Sequence, residues 1–497
     1  MNNNSQKTIV IVGAGPGGLV AGMLLSHYGF KVKIFEKESI PGGRNGYLQL
    51  GDYKFDIGPT FFMMDRVLRE VFSLTGRNLE DYVKMTRLSP MYRLYFEDKH
   101  LDIYDEKEKM RNELKRVFPG EENGIDKFME KEKIRLDKLF PLLSNHNNNI
   151  FEVFGWRFLR ALPAFSIGRS LYKVMGSYFK SEYAKLSFIF QSKYLGMSPW
   201  ECPGAFTMVP YVEHADGIYH TQGGLSQTTE AMVRVIKENG GEIFYNKKIK
   251  QLILENKKVV GVELQDGQKE FADETVVNAD FSYAMKNLVP PGILKKWSPE
   301  KLEKKRYSCS IFMLYLGVNK TLPLDHHTIV FAKDYRQNIA DVFNGKLTEK
   351  DFSFYVRDAT RTDPTLAPEG KSALYILVPV ANNRARINWA EKKQEVRNRV
   401  LELMSDRLNT GDLSKNIEVE KIITPDDWEK DYNVDLGAVF NLAHNLGQML
   451  WLRPHNRFEE LKNLYLVGGG THPGSGLPTI YQSGKIAAEL INKKYDK

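Results

Sequence analysis

The chain contains very little cysteine. Only Cys202 and Cys309 occur among its 497 residues, far apart and without the spacing of metal ligands. This usage gives no support for a disulfide framework and favours a reducing compartment. We expect both cysteines to be buried residues without a chemical role. No metal is predicted, because His326 and His327, which we expect in a loop, have no further ligands at a usable spacing.

The chain also lacks a nucleic-acid-binding signature and a clear membrane span. No zinc-finger spacing, RNP-type motif or concentrated Lys/Arg tract accompanies the net charge of +8, so no nucleic acid partner is predicted. Residues 8–25 are nearly all apolar, but five glycines and a proline interrupt them. Their β-branched first half and helix-forming second half indicate a strand and then a helix, rather than a span or a signal peptide.

The N-terminal region carries a dinucleotide-binding pattern. A predicted strand over Thr8–Val12 leads into G-x-G-x-x-G at Gly13, Gly15 and Gly18. A helix and a second strand follow, and Glu36 ends that strand at the spacing of about twenty residues that is typical of this pattern. Gly13 permits the tight turn, Gly15 lets the backbone approach a pyrophosphate, and Gly18 allows close packing of helix and strand. Glu36 is expected to accept hydrogen bonds from ribose hydroxyls.

A second glycine-rich stretch narrows the choice of dinucleotide. Gly43 and Arg44 belong to a G-G-R segment, and a strand ending in D-x-G-P-T at Thr60 follows. This order resembles the flavin-containing amine oxidase and carotenoid desaturase superfamily. The resemblance implies FAD rather than NAD, with Arg44 near the pyrophosphate and Gly43 in a loop that wraps the cofactor. Thr60 and Ile249, the first residue of a predicted strand, are further candidates for cofactor contact.

The C-terminal segment is the most specific part of the sequence. A strand at residues 464–467 runs into three glycines, then T-H-P-G, then a predicted helix. Backbone amides at a helix N-terminus can meet a flavin or its phosphates, so Gly469 and Pro478 are cofactor candidates. The pattern G-x-x-T-H-P-G-x-G-x-P resembles the bacterial phytoene and diapophytoene desaturases, and the resemblance extends over nearly the whole chain.

The resemblance implies an FAD-dependent oxidoreductase of carotenoid biosynthesis that desaturates a long acyclic polyene. In such enzymes the flavin takes a hydride as an adjacent carbon loses a proton, and an apolar tunnel holds the substrate. The proton acceptor is not identified, and His472, Arg160 and Tyr219 are weak candidates. His472 could equally hold its turn by hydrogen bonds. Arg157 stands where some relatives have an aspartate paired with the arginine at position 160, which puts an acid–base role for that pair in doubt.

Several alternatives stay open at this point. The nearest are a carotenoid terminal-methyl oxidase that forms an aldehyde, and a carotene isomerase on the same scaffold. More remote are an FAD amine oxidase and a non-catalytic, flavin-bound lipid carrier. Oxygen and a quinone are both possible electron acceptors, and the oligomeric state is not predicted.

The predicted fold is α/β, with a Rossmann-type FAD-binding domain that forms a three-layer ββα sandwich from discontinuous segments. Residues 1–80, 207–290 and 436–497 are expected to build this domain. Residues 81–206 would form a helical insertion that faces substrate and membrane, and residues 291–435 an α+β substrate domain with a mixed sheet.

One stretch of the helical insertion has a composition suited to a membrane surface. Residues 153–180 contain five cations and no acidic residue, with aromatics and leucines between them. Such a segment could rest on an anionic bilayer, with apolar side chains inserted and cations at headgroup depth. The alternative is a lid helix packed on its own domain. The corresponding location is cytoplasmic, peripherally associated with the inner face of the cell membrane.

Overall fold

The computed structural model describes residues 7–144 and 156–496 of the chain. In these residues the strands are β1 (Thr8–Val12), β2 (Lys31–Phe35), β3 (Tyr47–Leu50), β4 (Tyr53–Asp56), β5 (Met85–Arg87), β6 (Tyr92–Tyr95), β7 (His100–Ile103), β8 (Tyr219–Thr221), β9 (Glu242–Phe244), β10 (Ile249–Glu255), β11 (Lys258–Leu264), β12 (Lys269–Phe271), β13 (Glu274–Val277), β14 (Ser310–Val318), β15 (His327–Val330), β16 (Phe354–Asp358), β17 (Ser372–Val380), β18 (Ile417–Ile423) and β19 (Leu464–Leu466). The α-helices are Pro16–His27, Asp65–Leu74, Lys107–Val117, Gly124–Ser144, Trp156–Ala161, Leu171–Met175, Glu182–Leu186, Met208–Asp216, Ser226–Glu238, Phe281–Asn287, Pro299–Glu303, Tyr335–Phe343, Trp389–Leu408, Pro425–Lys430 and Leu477–Tyr495.

A five-stranded parallel sheet of order β19-β13-β1-β2-β9 forms the first domain. Both faces of its central strand are buried, which explains the unbroken apolar run in the sequence. Ile9 and Ile11 pack against the helices on one face, whereas Val10 and Val12 pack toward the antiparallel sheet β10-β11-β12 on the other. The predicted three-layer ββα sandwich of Rossmann type, built from discontinuous segments, is thereby confirmed.

Close helix packing brings the two ends of the chain together. Helix Leu477–Tyr495 lies on helix Pro16–His27, and a Cβ atom added at Gly484 would come within 2.4 Å of the Gly17 carbonyl oxygen. Because a glycine allows this approach, the N-termini of both helices reach the same edge of the parallel sheet.

A seven-stranded mixed sheet, of order β18-β14-β17-β16-β15-β6-β7, forms the second domain. Its strand β14 is buried along its whole length. Phe312 and Leu314 pack under helix Trp389–Leu408, whereas Ile311 and Met313 face a core shared with the helical segments. The sheet therefore separates an outer helical layer from an inner face that can contact a ligand.

The structure differs from the sequence prediction in two places. Residues 81–206 also contain strands β5, β6 and β7, and the last two join the edge of the seven-stranded sheet. The prediction that His326 and His327 lie in a loop is wrong for His327, which begins strand β15 and is fully buried. Burial of this histidine is compatible with a strand because Tyr355 on the neighbouring strand supplies a hydrogen-bond partner.

The structure also bears on the predictions for the two cysteines, for a metal site and for a membrane span. Cys202 and Cys309 are free and buried, as predicted. Over residues 7–144 and 156–496, no group of His, Cys, Asp and Glu side chains could hold a metal ion. Within the same part of the chain, no helix is long and apolar enough to span a bilayer.

A buried ion pair joins the two domains. Arg357 on β16 donates from Nη1 to Asp56 Oδ2 on β4 at 2.6 Å, and the two side chains are 4% and 3% exposed. Asp56 also accepts the backbone N–H of Leu225 at 2.8 Å. Because both charges are desolvated, each depends on the other for compensation.

We predict that Arg357→Met lowers the free energy of unfolding by about 3–5 kcal/mol, because it leaves the Asp56 carboxylate buried without its cation. Denaturant unfolding followed by circular dichroism measures this loss. Lys371→Met is the matched control, because Lys371 and Glu418 form a 2.7 Å pair with side chains that are 31% and 35% exposed. Its loss should cost less than about 1 kcal/mol, and equal effects of the two substitutions would contradict the prediction.

Candidate active site

A cavity of about 800 Å³ is lined by residues of both domains. The predicted cofactor-binding residues meet in its wall, with the exception of Gly18. Those that line the cavity are Gly13, Gly15, Glu36, Gly43, Arg44, Thr60, Ile249, Gly469 and Pro478. Gly18 lies behind the loop, where an added Cβ atom would come within 2.5 Å of the Gly13 carbonyl oxygen. Its position fits the packing role expected from the sequence.

The first glycine loop leaves a helix N-terminus open to the cavity. Gly13 has a φ of 94°, a backbone conformation that favours glycine. Gly15 precedes helix Pro16–His27 as its N-cap residue and offers no side chain to cap it. A Cβ atom at Gly15 would lie 2.6 Å from Nδ2 of Asn278, so a larger residue would displace the Asn278 amide from its hydrogen bond to the Gly13 carbonyl oxygen. The amides at this N-terminus can therefore face an anion.

The Glu36 carboxylate uses part of its hydrogen-bonding capacity on nearby backbone N–H groups. Its Oε2 accepts the Ala14 N–H at 2.7 Å, and its Oε1 accepts the Glu38 N–H at 3.0 Å. Burial raises the pKa of Glu36, and these two hydrogen bonds oppose that shift. Each carboxylate oxygen keeps a further lone pair, so Glu36 can still accept a hydroxyl from the cavity side.

Arg44 places a positive charge in the cavity wall. Its Nη1 donates to the Val439 carbonyl oxygen, and burial lowers the pKa of Arg44 while nearby Asp280 opposes that shift. Burial also raises the pKa of Asp280 to about 6. A buried guanidinium with a carbonyl partner, close to an open helix N-terminus, fits a pyrophosphate group.

A buried arginine holds the C-terminal glycine loop. Arg453 is fully buried and donates to the carbonyl oxygens of Gly469 at 2.7 Å and Thr471 at 3.0 Å. Burial lowers its pKa to about 9. Sequence reasoning missed Arg453 because its partners are backbone carbonyls, which leave no motif in the sequence.

His444 fixes the next turn of this loop. Its Nδ1 donates to the Leu195 carbonyl oxygen at 3.0 Å, and its Nε2 accepts the Ser475 N–H at 3.1 Å. This pair of bonds requires the neutral imidazole, and burial holds the pKa of His444 well below its ordinary value. Helix Leu477–Tyr495 then begins after Gly476, without a side-chain cap. A second open N-terminus thus faces the cavity.

The three weak candidates for the proton acceptor lie elsewhere. His472 is 2% exposed and lies behind the wall, where its carbonyl oxygen accepts from Asn456 Nδ2 at 2.9 Å. Arg160 is exposed on helix Trp156–Ala161. Tyr219 lies in β8, and the side chain of Arg157 is outside the described part of the structure. None of the three candidates is among the described residues that line the cavity.

The half of the cavity next to the seven-stranded sheet is mainly apolar. Its lining includes Phe206, Met208, Ile311, Ile329, Leu377 and Ile423. Because these side chains come from five separate stretches of the chain, no local pattern in the sequence marks them as one surface.

A small cluster of hydrogen-bonded polar side chains interrupts this apolar wall. The Tyr355 hydroxyl lies 2.6 Å from Nδ1 of His327 and 2.9 Å from Oγ1 of Thr60. Phe61 stacks on the His327 ring with centroids 4.4 Å apart, and burial holds the pKa of His327 well below its ordinary value. Tyr355, Thr60 and Phe61 line the cavity, so a neutral imidazole lies one hydrogen bond behind its surface.

Comparison with known proteins agrees with this arrangement. Residues 16–492 match the family model described as flavin containing amine oxidoreductase. The chain is 52% identical to the 4,4'-diapophytoene desaturase (4,4'-diapolycopene-forming) of a Methylomonas species, over 98% of this chain and 96% of the relative. It is 36% identical to the zeta-carotene-forming phytoene desaturase of Myxococcus xanthus, over 98% and 94% of the two chains.

Solved structures share the fold at much lower sequence identity. An oxidoreductase from Methanosarcina mazei aligns with a TM-score of 0.66 at 18% identity, covering 97% of this chain and all of its own. A putrescine oxidase variant aligns with a TM-score of 0.64 at 12% identity, covering 99% and 98% of the two chains. The sequence matches, together with the glycine loops around one cavity, show that the cofactor is FAD. The chain belongs to the flavin-containing amine oxidoreductase family and, within it, to the carotenoid desaturases.

Proposed function

We propose that this protein desaturates a long acyclic polyene of the phytoene or diapophytoene type in carotenoid biosynthesis. The observation that carries the proposal is the continuity of one cavity between the glycine loops and the apolar face of the seven-stranded sheet. The 52% identity to a diapophytoene desaturase supports diapophytoene as the first substrate to test. Bound FAD would supply the hydride acceptor.

The residues at the glycine-loop end are suited to hold that cofactor. The amides after Gly15 and the Arg44 guanidinium would bind the pyrophosphate, and Glu36 would accept a ribose hydroxyl. Gly469, in the C-terminal glycine loop, and Pro478, at the second open helix N-terminus, would contact the flavin. Ile249 and Thr60 complete the wall on either side.

The apolar end is suited to a hydrocarbon. Burial of apolar surface contributes about 25 cal/mol per Å², so a long polyene gains affinity without any charged contact. The same side chains exclude water from the reacting carbons, and the shape of the wall orients the chain.

Tyr355 is the group that we place at the departing proton. In this proposal the Tyr355 oxygen takes the proton from the substrate carbon as its own proton moves to Nδ1 of His327. The Thr60 hydroxyl donates to the Tyr355 oxygen throughout. Geometry supports this choice over His472, Arg160 and Tyr219, because a base must come within hydrogen-bond distance of the proton it removes.

The protein reconstituted with FAD should oxidise a polyene in the absence of oxygen. We expect phytoene or diapophytoene, added separately, to bleach the flavin absorbance and to yield products lighter by pairs of hydrogens with red-shifted absorption. Anaerobic spectroscopy and mass spectrometry measure both changes. Reoxidation by oxygen and by a quinone, compared side by side, then identifies the electron acceptor.

Gly15→Val is the matched control for this reaction. Its side chain would collide with Asn278, so we expect loss of bound FAD and of polyene oxidation together. Products heavier by oxygen would instead favour terminal-methyl oxidation. Polyene binding without bleaching of the flavin would contradict the proposed activity.

Tyr355→Phe should slow desaturation by about tenfold or more while FAD stays bound, because the hydroxyl that relays the proton is removed. Stopped-flow flavin reduction with substrate deuterated at the proton-losing carbon should show a larger isotope effect in the variant. Tyr375→Phe is the comparison. Tyr375 lines the same cavity, but its hydroxyl donates to the Gly58 carbonyl oxygen at 2.6 Å. An unchanged isotope effect in Tyr355→Phe would show that another group takes the proton.

Peripheral membrane contact on the cytoplasmic side is part of this proposal, and an exposed apolar surface supports the membrane contact. Leu159 and Ile167 are 52% and 68% exposed, and Leu446 is 52% exposed in a neighbouring loop. These segments are adjacent because Phe158 packs edge-on against Trp451 in a shared cluster. Exposed cations occur in the same stretch of the chain, at positions 160, 169, 173 and 180. Residues 153–155 of the predicted membrane-facing stretch lie outside the described residues.

The combined variant Leu159→Ser, Ile167→Ser and Arg169→Glu should bind liposomes that contain anionic lipid at least about tenfold more weakly, because it removes both apolar insertion and charge attraction. Sedimentation with liposomes measures the change. Phe271→Ser is the control, because Phe271 is 62% exposed on β12, in the small antiparallel sheet of the first domain. Equal binding of the triple variant and the unmodified protein would contradict membrane contact through this surface.

A further inference from the structure

The wall of the cavity contains a lysine that has no role in the proposed oxidation of a hydrocarbon. Lys193 belongs to the short helical segment Phe190–Leu195 and lines the cavity together with Phe190 and Leu195. Its Nζ atom lies 4.8 Å from the centroid of the Tyr335 ring. Across residues 7–144 and 156–496, the structure gives the Lys193 side-chain amine no hydrogen bond and no ion pair.

The other lysines around the cavity have different surroundings. Lys37 pairs with Glu38 at 2.6 Å, and Lys247 pairs with Asp266 at 2.8 Å. Lys248 and Lys421 are exposed. Lys193 is half-buried and lines the cavity.

Burial of an amine in this position has a free-energy cost. Burial lowers the pKa of Lys193 to about 7, and the Tyr335 ring face offsets part of the cost when the amine is charged. The Tyr335 hydroxyl is itself buried, and no described atom hydrogen-bonds to it. The Cys309 thiol also lines the cavity within electrostatic range of the amine.

A hydrocarbon in the cavity would leave the Lys193 amine without a hydrogen-bond partner. Burying a polar group without a hydrogen bond costs free energy, whereas a ligand oxygen would satisfy the amine. The N–H groups of Lys193 are donors, so the complementary ligand atom is an acceptor. A carbonyl oxygen at the end of an otherwise apolar chain meets both requirements, because the chain can lie along the apolar wall.

We propose that Lys193 forms a polar subsite that binds the carbonyl oxygen of a polyene with a terminal aldehyde. The inference rests on the proposed function in one respect, namely that this cavity is the polyene site. It extends the ligand class from hydrocarbons to oxygenated polyenes and gives the bound chain a fixed direction.

Binding of a matched pair of ligands tests the subsite. The probes are an acyclic polyene with one terminal aldehyde and the hydrocarbon of the same carbon skeleton, each titrated into the FAD-loaded protein. Quenching of flavin fluorescence reports the dissociation constants. We expect the unmodified protein to prefer the aldehyde, and Lys193→Met to reduce that preference about tenfold, because the hydrogen bond from the amine to the carbonyl oxygen is lost.

Two further variants separate the subsite from a general effect on folding. Lys193→Gln should recover part of the preference, because its amide still donates a hydrogen bond. Lys185→Met is the matched control. Lys185 also lies over a tyrosine ring, 4.7 Å from the centroid of Tyr172, but it does not line the cavity. FAD content and the thermal midpoint are measured for every variant.

An unchanged preference in Lys193→Met, with normal FAD content, would overturn the subsite. Loss of hydrocarbon oxidation in that variant without a change in preference would also overturn it, since Lys193 would then serve the reaction itself. If neither polyene binds the unmodified protein, the proposed function fails as well. If the hydrocarbon binds but Lys193→Met leaves the preference for the aldehyde unchanged, the subsite is rejected and the proposed function is not.

Discussion

The close approach of the two terminal helices to the parallel sheet determines the geometry of the site. Helix Pro16–His27 and helix Leu477–Tyr495 come from opposite ends of the chain, yet Gly484 packs directly over the carbonyl of Gly17. Any larger residue at this crossing would push the helices apart. Their N-termini would then no longer share one edge of the sheet, and the two sets of amides could not face one cofactor. Backbone contact at glycines therefore positions the binding groups before any side chain contributes.

The second domain is attached to this cofactor edge by buried polar contacts. Asp56 ends a strand of the first domain, and Arg357 lies in the seven-stranded sheet. Tyr315 and Tyr375, from the same sheet, donate to the carbonyl oxygens of Ile57 and Gly58. Directional hydrogen bonds fix the spacing between the domains more strictly than apolar contact does. The apolar wall is thereby held at a constant distance from the loop that carries Arg44.

The residues predicted for cofactor contact line one cavity, with the exception of Gly18, and the sequence signals that point to them are local. Gly13, Gly15 and Arg44 each belong to a short pattern whose backbone geometry leaves few alternatives. The substrate half has no such patterns. Lys193 and Tyr355 are far apart in the sequence, and only the packing of the fold brings them to one cavity. Pairing of β15 with β16 places His327 behind Tyr355. Strand β6 was missed for a related reason, since it pairs with β15, where Thr328 lies opposite Arg93. Strand β7 joins the sheet only through β6.

The two halves of the cavity differ in polarity, and this difference would determine which ligand lies in which half. Arg44 and the open helix N-termini favour negative charge at one end, whereas Ile311, Leu377 and Ile423 offer nothing that could solvate it. A charged pyrophosphate would lose its hydration without compensation at the apolar end, and a polyene would leave the cations unpaired at the other. The free-energy cost of binding in the other half would therefore keep each ligand in its own half. In the proposed reaction, Thr60 and Tyr355 would therefore lie where the two halves of the cavity join.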